Sequence, residues 1–422
     1  MENKIDFSWR SNKKYYAAFN QPQLAYLQID IKPPQVEQSR RPPLNLSLVI
    51  DRSGSMKGEK IENVRNAVNK IIDLLNEDDI LSVVAFNEEV ELLIPSQPVM
   101  DKKKMRQAIN NLAHRGGTAI SKGMRVGLDE LSSYLDHDMI NRMILLTDGE
   151  TYGDEDECCI LAKEAAQQKI AVTALGVGDE WNDEIIEAIA NYSQGKSDYI
   201  ESPDEIVKYF TDEVTEFKAI VVQNATLTLR LAEGAIPRKV YRVLPLISDL
   251  GFSPISDRDI TVDLHEITAE QGQRLLIELL LPPRTEGSFR LAQAELIYDI
   301  PSEGEQDLRV RTDLLFDFTK DAELLRDYDA ELMNTVERVT AFNLQTRALN
   351  DISQGRVDQA TQKLRAAATR LINLDETELA TTALQEAERL TNEGKMSRQG
   401  TKKLRYETRK LTRRLESFNA AA

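Results

Sequence analysis

VIDRSGSM, residues 49–56, ends an apolar run on Asp51 and then sets Ser53 and Ser55 on either side of Gly54. A strand leaving a core rarely finishes on a carboxylate and two hydroxyls without a use for them. Two uses are open at this point. Ser and Asp are favoured helix caps, and the helical pattern of residues 57–76 begins just downstream. Alternatively, one carboxylate and two hydroxyls spaced by two converge on a turn, a donor set that suits a hard, oxygen-seeking cation.

The surrounding pattern tells what kind of sheet this strand enters. LNLSLVI (44–50) is a short apolar run, and Ile61, Val64, Val68, Ile71, Ile72 and Leu75 then recur at helical spacing. ILSVVAF (80–86) and VELLIP (90–95) read as strands joined in a hairpin by Asn87-Glu88-Glu89. Helices are expected over 102–112, 119–135, 155–168, 183–192 and 205–217, with strands at 143–148 and 170–178. Strands alternating with helices predict a mainly parallel, doubly wound sheet covered on both faces. Ligands of such sheets bind beyond the carboxyl ends of the strands, where both VIDRSGSM and LLTDGE fall. Two more oxygen donors lie at such edges: Thr118, behind Gly116-Gly117 in RGGTAI, and Asp148, which ends LLTD. RGGTAI lacks the G-x-x-x-x-G-K-[ST] phosphate-loop pattern.

These residues carry a resemblance. Residues 43–217 resemble the von Willebrand factor A domain, whose metal-ion-dependent adhesion site (MIDAS) is built from D-x-S-x-S, a later threonine and a later aspartate. Asp51, Ser53, Ser55, Thr118 and Asp148 match those positions in order, and the GGT, TDG and ALGVGDE contexts match as well. The resemblance implies a Rossmann-like fold and a divalent cation, Mg²⁺ first and Mn²⁺ or Ca²⁺ as substitutes. It implies direct ligation by Ser53, Ser55 and in some members Thr118, with Asp51 and Asp148 acting through water. It also implies a coordination position for an Asp or Glu of a protein partner.

Outside this segment the chain changes character. Residues 14–32 read as two short strands around Asn20-Gln21-Pro22, followed by a linker with Pro33, Pro34, Arg40, Arg41, Pro42 and Pro43. From about 219 the helices stop, and six strand-like runs separated by Gly, Pro, Ser and Asp predict a β-sandwich. The expected division is N-terminal strands at 1–42 joining that sandwich, the α/β domain at 43–217, the β-sandwich at 218–318 and a helical domain at 319–422. Helices are expected over 320–352, 355–372, 375–393 and 398–417, with a turn at Asp351–Gly355 and an N-cap at Asp375. The whole is a multidomain α/β, all-β and α chain. Its layout is similar to that of bacterial A-domain proteins and of inter-alpha-trypsin inhibitor heavy chains.

Charge and composition narrow the function. The formal charge of the 422-residue chain is −17, which argues against broad nucleic-acid binding. Residues 395–417 hold nine Lys and Arg against Glu407 and Glu416, about +7, and leave about −24 on the rest. That tail is expected to pack on the acidic body, to serve as an arm for a second partner, or to be phosphorylated at Thr401, Thr408 or Thr412. No apolar run suits a membrane span, and the N-terminus lacks a secretory signal, so a cytoplasmic location is expected. Cys158 and Cys159 are adjacent and read as helix residues in a reducing compartment. The acidic run Glu150, Asp154–Glu157 reads as dipole complementarity at a helix start. His114, His137 and His265 are scattered, and no His or Lys base is evident beside the candidate ligands, so the expectation is a non-enzymatic interaction module. Its rivals are an adaptor subunit of an ATP-driven remodelling complex and a metal-dependent hydrolase.

Overall fold

The computed structural model describes residues 4–33, 41–136, 138–151 and 153–412. Arg40, Pro34, His137 and the tail residues Arg413, Arg414 and Glu416 lie outside the described residues. The chain separates into two compact units, Glu37–Ile220 and the flanking segments Met1–Val36 with Val221–Ala422.

In the flanking unit the first three strands are β1 (Asp6–Ser11), β2 (Tyr15–Ala17) and β3 (Gln23–Lys32). The other unit supplies β4 (Leu44–Asp51), α1 (Glu59–Leu74), β5 (Ile80–Phe86), β6 (Val90–Pro98), α2 (Lys102–Asn110) and α3 (Ile120–Ser132). It continues with β7 (Ile140–Thr147), α4 (Glu155–Gln167), β8 (Ala171–Val177), α5 (Asp183–Tyr192), β9 (Lys196–Ile200) and α6 (Ile206–Lys218). Its sheet order is β6-β5-β4-β7-β8-β9, with every neighbouring pair parallel except β5 and β6. β4, β5 and β7 are buried along their whole length, which is why each is rich in apolar residues pointing to both faces of the sheet. β9 escapes the sequence pattern: KSDYI is short and holds only two apolar residues, because it pairs on one side only.

The order also shows where a ligand fits. The chain leaves β4 toward β5 and β6, then returns to the other side of β4 as β7. A crevice opens at the carboxyl ends of β4 and β7, where the connections diverge. α1 faces the sheet with Ile61, Val64, Val68, Ile71 and Ile72, sharing a core with Phe210 and Val214 of α6. α3 lies unusually close to the sheet. A Cβ at Gly123 would sit 2.6 Å from Phe86 Cδ1, and one at Gly127 would sit 2.5 Å from Val49 Cγ2. The two glycines, one turn apart, let the helix backbone rest on β4 and β5 and so fix the loop that enters it.

The flanking unit has two sheets. The first is antiparallel, in the order β1-β3-β15-β11-β12; its later strands are β11 (Ile236–Leu244), β12 (Ser248–Asp249) and β15 (Gln273–Leu281). The second runs β13-β14-β10-β16-β17-β2, with β10 (Ile220–Leu231), β13 (Ser253–Pro254), β14 (Asp259–Thr268), β16 (Gly287–Ile300) and β17 (Glu305–Thr319). Leu27, Ile29 and Ile277 of the first sheet and Leu227, Leu296 and Phe316 of the second belong to one buried cluster.

Four helices follow: α7 (Ala330–Ser353), α8 (Val357–Asn373), α9 (Thr377–Glu393) and α10 (Arg398–Glu407). α7 starts ten residues later than the sequence pattern suggests, because the Asp329 side chain accepts from the Leu332 N–H (2.9 Å) and sets the cap there. Asp375 is not the N-cap of α9. It has a positive φ of 60°, and Glu376 precedes the helix. Val336, Val339 and Leu379 pack with Tyr241, Val243 and Leu276 on the outer side of the first sheet.

The described part of the basic segment is docked within this unit rather than held out as an arm. Ser397 caps α10, accepting from Gly400 (2.9 Å), and donates to Glu386 (2.6 Å). Lys403 pairs with Glu378. Thr408 and Thr412 are buried, with their hydroxyls bonded to Gln345 and to the Val243 carbonyl. Their burial contradicts phosphorylation at those two positions in the folded chain. Thr401 is half-buried and donates to the Ser397 carbonyl (2.8 Å).

Candidate metal centre

β4 delivers Asp51 to the crevice fully buried. One carboxylate oxygen accepts the Ser53 N–H at 2.7 Å, and the other accepts the Thr147 hydroxyl at 2.6 Å. The side chain is thus held by its own turn and by the end of the adjacent strand β7. Burial pushes its carboxyl up to about 6, against the pull of those two hydrogen bonds. A carboxylate so placed favours a compensating cation nearby.

The turn after Asp51 decides between capping and ligation. Ser53 makes no side-chain capping bond to the short helical turn Gly54–Met56. α1 is preceded by Gly58, again with no side-chain cap. The hydroxyls point elsewhere. Ser53 Oγ lies 2.9 Å from Ser55 Oγ, and Ser55 Oγ donates to Asp148 Oδ1 at 2.6 Å. Asp51, Ser53, Ser55 and Asp148 therefore form one chain of contacts across β4 and β7.

Thr118 arrives from a third edge. Its loop is tied down by three backbone bonds: Gly54 N–H to Gly116 O (2.9 Å), Arg115 N–H to Arg52 O (2.7 Å) and Ala119 N–H to Asn87 O (3.0 Å). Gly116 has φ +74°, and a Cβ there would strike Asn87 Nδ2 at 2.4 Å, so the loop needs glycine. A Cβ added at Gly149 would meet Thr118 Oγ1 at 3.2 Å and Ser55 Oγ at 3.7 Å. Both hydroxyls thus border the space beside Gly149, where an added methyl would be tight against Thr118.

Three contributors escape the sequence reading. Thr147 holds Asp51, and its only signal is its place beside Asp148. Asp154 is more than a dipole complement to α4. It accepts from the Ser121 N–H at 2.8 Å and from the Thr151 hydroxyl, so it bolts the loop after β7 to the start of α3. Glu155, Asp156 and Glu157 do occupy the first turn of α4. Lys60 corrects the expectation of a site without a lysine: its ammonium pairs with Asp148 Oδ2. His114 is exposed on the Thr118 loop, and His265 lies on β14. Cys158 is buried and Cys159 half-buried in α4, both free, and burial raises the Cys158 thiol far out of the reactive range.

Among the described residues no three His, Cys, Asp or Glu side chains gather as a metal site. The crevice offers instead three hydroxyls and two carboxylates, all oxygen, a set that fits a hard cation and not a soft one.

The comparisons with known proteins agree with this geometry at the level of family. Residues 45–213 match the von Willebrand factor type A domain, and residues 330–414 match the Sll0103-like, C-terminal alpha-helical domain. The chain thus carries one segment similar to the von Willebrand factor type A domain and one similar to the Sll0103-like helical domain. Protein sll0103 of Synechocystis sp. is 37% identical over 276 residues, which cover 64% of this chain and 65% of that one. Inter-alpha-trypsin inhibitor heavy chain H3 of Rattus norvegicus is 28% identical over 36% of this chain and 18% of its own length. The chain thus spans less than two thirds of either relative. A solved structure, von Willebrand factor type A from Catenulispora acidiphila, superposes with a TM-score of 0.76 over 97% of this chain and 98% of that one. At 17% identity this likeness concerns the fold. Among the described residues no helix is long and apolar enough to cross a membrane.

Proposed function

We propose that the A domain is a cation-dependent protein-interaction module. Asp51, Ser53, Ser55, Thr118 and Asp148 would hold a divalent ion, Mg²⁺ first, with Mn²⁺ or Ca²⁺ as alternatives. When bound, that ion would supply an electrophilic position for an Asp or Glu of a protein partner. The neutral hydroxyls of Ser53, Ser55 and Thr118 would leave it undersatisfied in charge and so receptive to an outside carboxylate. The buried Asp51, clamped by Thr147 and the Ser53 N–H, would fix the turn that presents the two serines. Glycine at 149 would keep the approach open. The function is binding rather than catalysis, in a soluble setting such as the cytoplasm. The two sheets of the flanking unit, taken as a β-sandwich, would act as scaffold, and the C-terminal helices would offer a second partner surface.

One observation carries this reading. The serine hydroxyls that could have capped a helix instead line up between Asp51 and Asp148, beside Thr118. The test is isothermal titration of the full chain with Mg²⁺ and Mn²⁺, beside affinity capture with and without chelator, for wild type and Asp51→Ala. Saturable binding in the wild type, at least tenfold weaker in Asp51→Ala, with a partner lost on chelation, supports it. A partner retained equally in all four capture arms would overturn the metal bridge.

A further inference from the structure

Lys60 is a poor choice for its position on helical grounds alone. It is the second residue of α1, where the helix dipole disfavours a cation and where its neighbours Glu59 and Glu62 are the expected residue types. The ammonium does not turn to solvent. It reaches Asp148 Oδ2, and the Asp148 side chain is wholly buried. With Ser55 Oγ donating to Oδ1 at 2.6 Å, both oxygens of this candidate ligand are occupied from within the chain. A buried carboxylate without a counter-charge is strongly disfavoured, and the Lys60 ammonium supplies one.

We propose that Lys60 is a resident counter-cation that competes with the metal, so that loading the site is an exchange of the Lys60 ammonium for the divalent ion at Asp148. The inference rests on the metal reading above and deepens it. The side chain is about a quarter exposed and sits on a flexible four-carbon stem, so it can swing out to water without unfolding α1. The exchange conserves the neutralisation of Asp148. Wild-type affinity is therefore held below what the same ligand set gives without Lys60, and the site loads only when free cation is plentiful.

The test compares wild type, Lys60→Met and Lys60→Arg as full chains. Mg²⁺ and Mn²⁺ are titrated by calorimetry, and the melting temperature is read with chelator and with saturating ion. Lys60→Met keeps the stem and removes the charge. It is expected to bind either ion about tenfold more tightly than wild type, to melt lower in chelator, and to show the larger ion-induced rise. Lys60→Arg keeps the charge and is expected to stay within threefold of wild type. Unchanged or weaker ion binding by Lys60→Met, with saturable binding by wild type, overturns the competitor role and leaves the metal reading intact. Absence of binding by all three proteins, each folded by circular dichroism, overturns both.

Discussion

At the scale of single residues the site depends on groups that are not themselves candidate ligands. Thr147 donates to the buried Asp51 carboxylate, and valine has its shape without its hydroxyl. Thr147→Val leaves one oxygen of a buried carboxylate without a donor, at a cost of about 1–3 kcal/mol. Urea denaturation in chelator should show that loss, and Thr147→Ser should recover most of it. Gly149 makes a contrasting case. Gly149→Ala places a methyl 3.2 Å from Thr118 Oγ1, which is tight but not a backbone collision. The expected outcome is Mg²⁺ affinity several-fold weaker, with stability changed by less than about 1 kcal/mol. Equal affinity in calorimetry would show that the Thr118–Ser55 space is not where an ion sits.

Elements decide how loops from distant parts of the sequence meet. α3 is the clearest case, since Gly123 and Gly127 bring its backbone onto Phe86 and Val49 and thereby position the loop bearing Thr118. A larger residue at 127 must push the helix outward, because the β-branched, fully buried Val49 on the sheet cannot retreat. Gly127→Val is expected to destabilise by about 1–3 kcal/mol or more through overpacking, and to weaken ion binding although it touches no candidate ligand. Asp154 acts at the same scale, joining the loop after β7 to the first turn of α3. These helices were readable from apolar spacing, and the strands β4, β5 and β7 from their short, mostly apolar runs. β9 was not, because a five-residue edge strand whose only apolar residues are Tyr199 and Ile200 is too short to mark a period. The start of α7 was misplaced because a single cap at Asp329 overrides a pattern that looks helical ten residues earlier.

On the scale of the molecule, each unit closes over its own apolar core, one joining the α/β sheet to α1 and α6, the other joining two sheets. Cores of that size predict separable unfolding. Scanning calorimetry should resolve two transitions, and saturating Mg²⁺ should raise the transition of the α/β unit alone. At about a hundred times Kd the gain would be roughly 2.7 kcal/mol. In the helical C-terminus, Arg338 and Glu376 form a buried pair that also meets the Leu411 carbonyl. Arg338→Met removes this buried ion pair and the bond to the Leu411 carbonyl and should lower the other transition, at a cost of about 3–5 kcal/mol. Movement of the Mg²⁺-sensitive transition by that substitution would refute the independence of the two cores.

The sequence by itself determined the alternating α/β pattern, the strand-rich run after residue 219, the helical C-terminus and the five oxygen-bearing residues whose order resembles an adhesion site. It could do so because burial on both faces of a sheet, or on one stripe of a helix, is written locally in the spacing of apolar residues. It left open whether Asp51, Ser53 and Ser55 cap a helix or face a neighbour, since both uses need the same residue types on the same turn. Only the tertiary structure decided that. The return of the chain to the far side of β4 sets Asp148 against Ser55, and with it the Lys60 ammonium and the Thr147 hydroxyl, groups whose partners lie about ninety residues away in sequence. No local pattern encodes such a meeting, because it is fixed by strand order and by how closely α3 can approach the sheet.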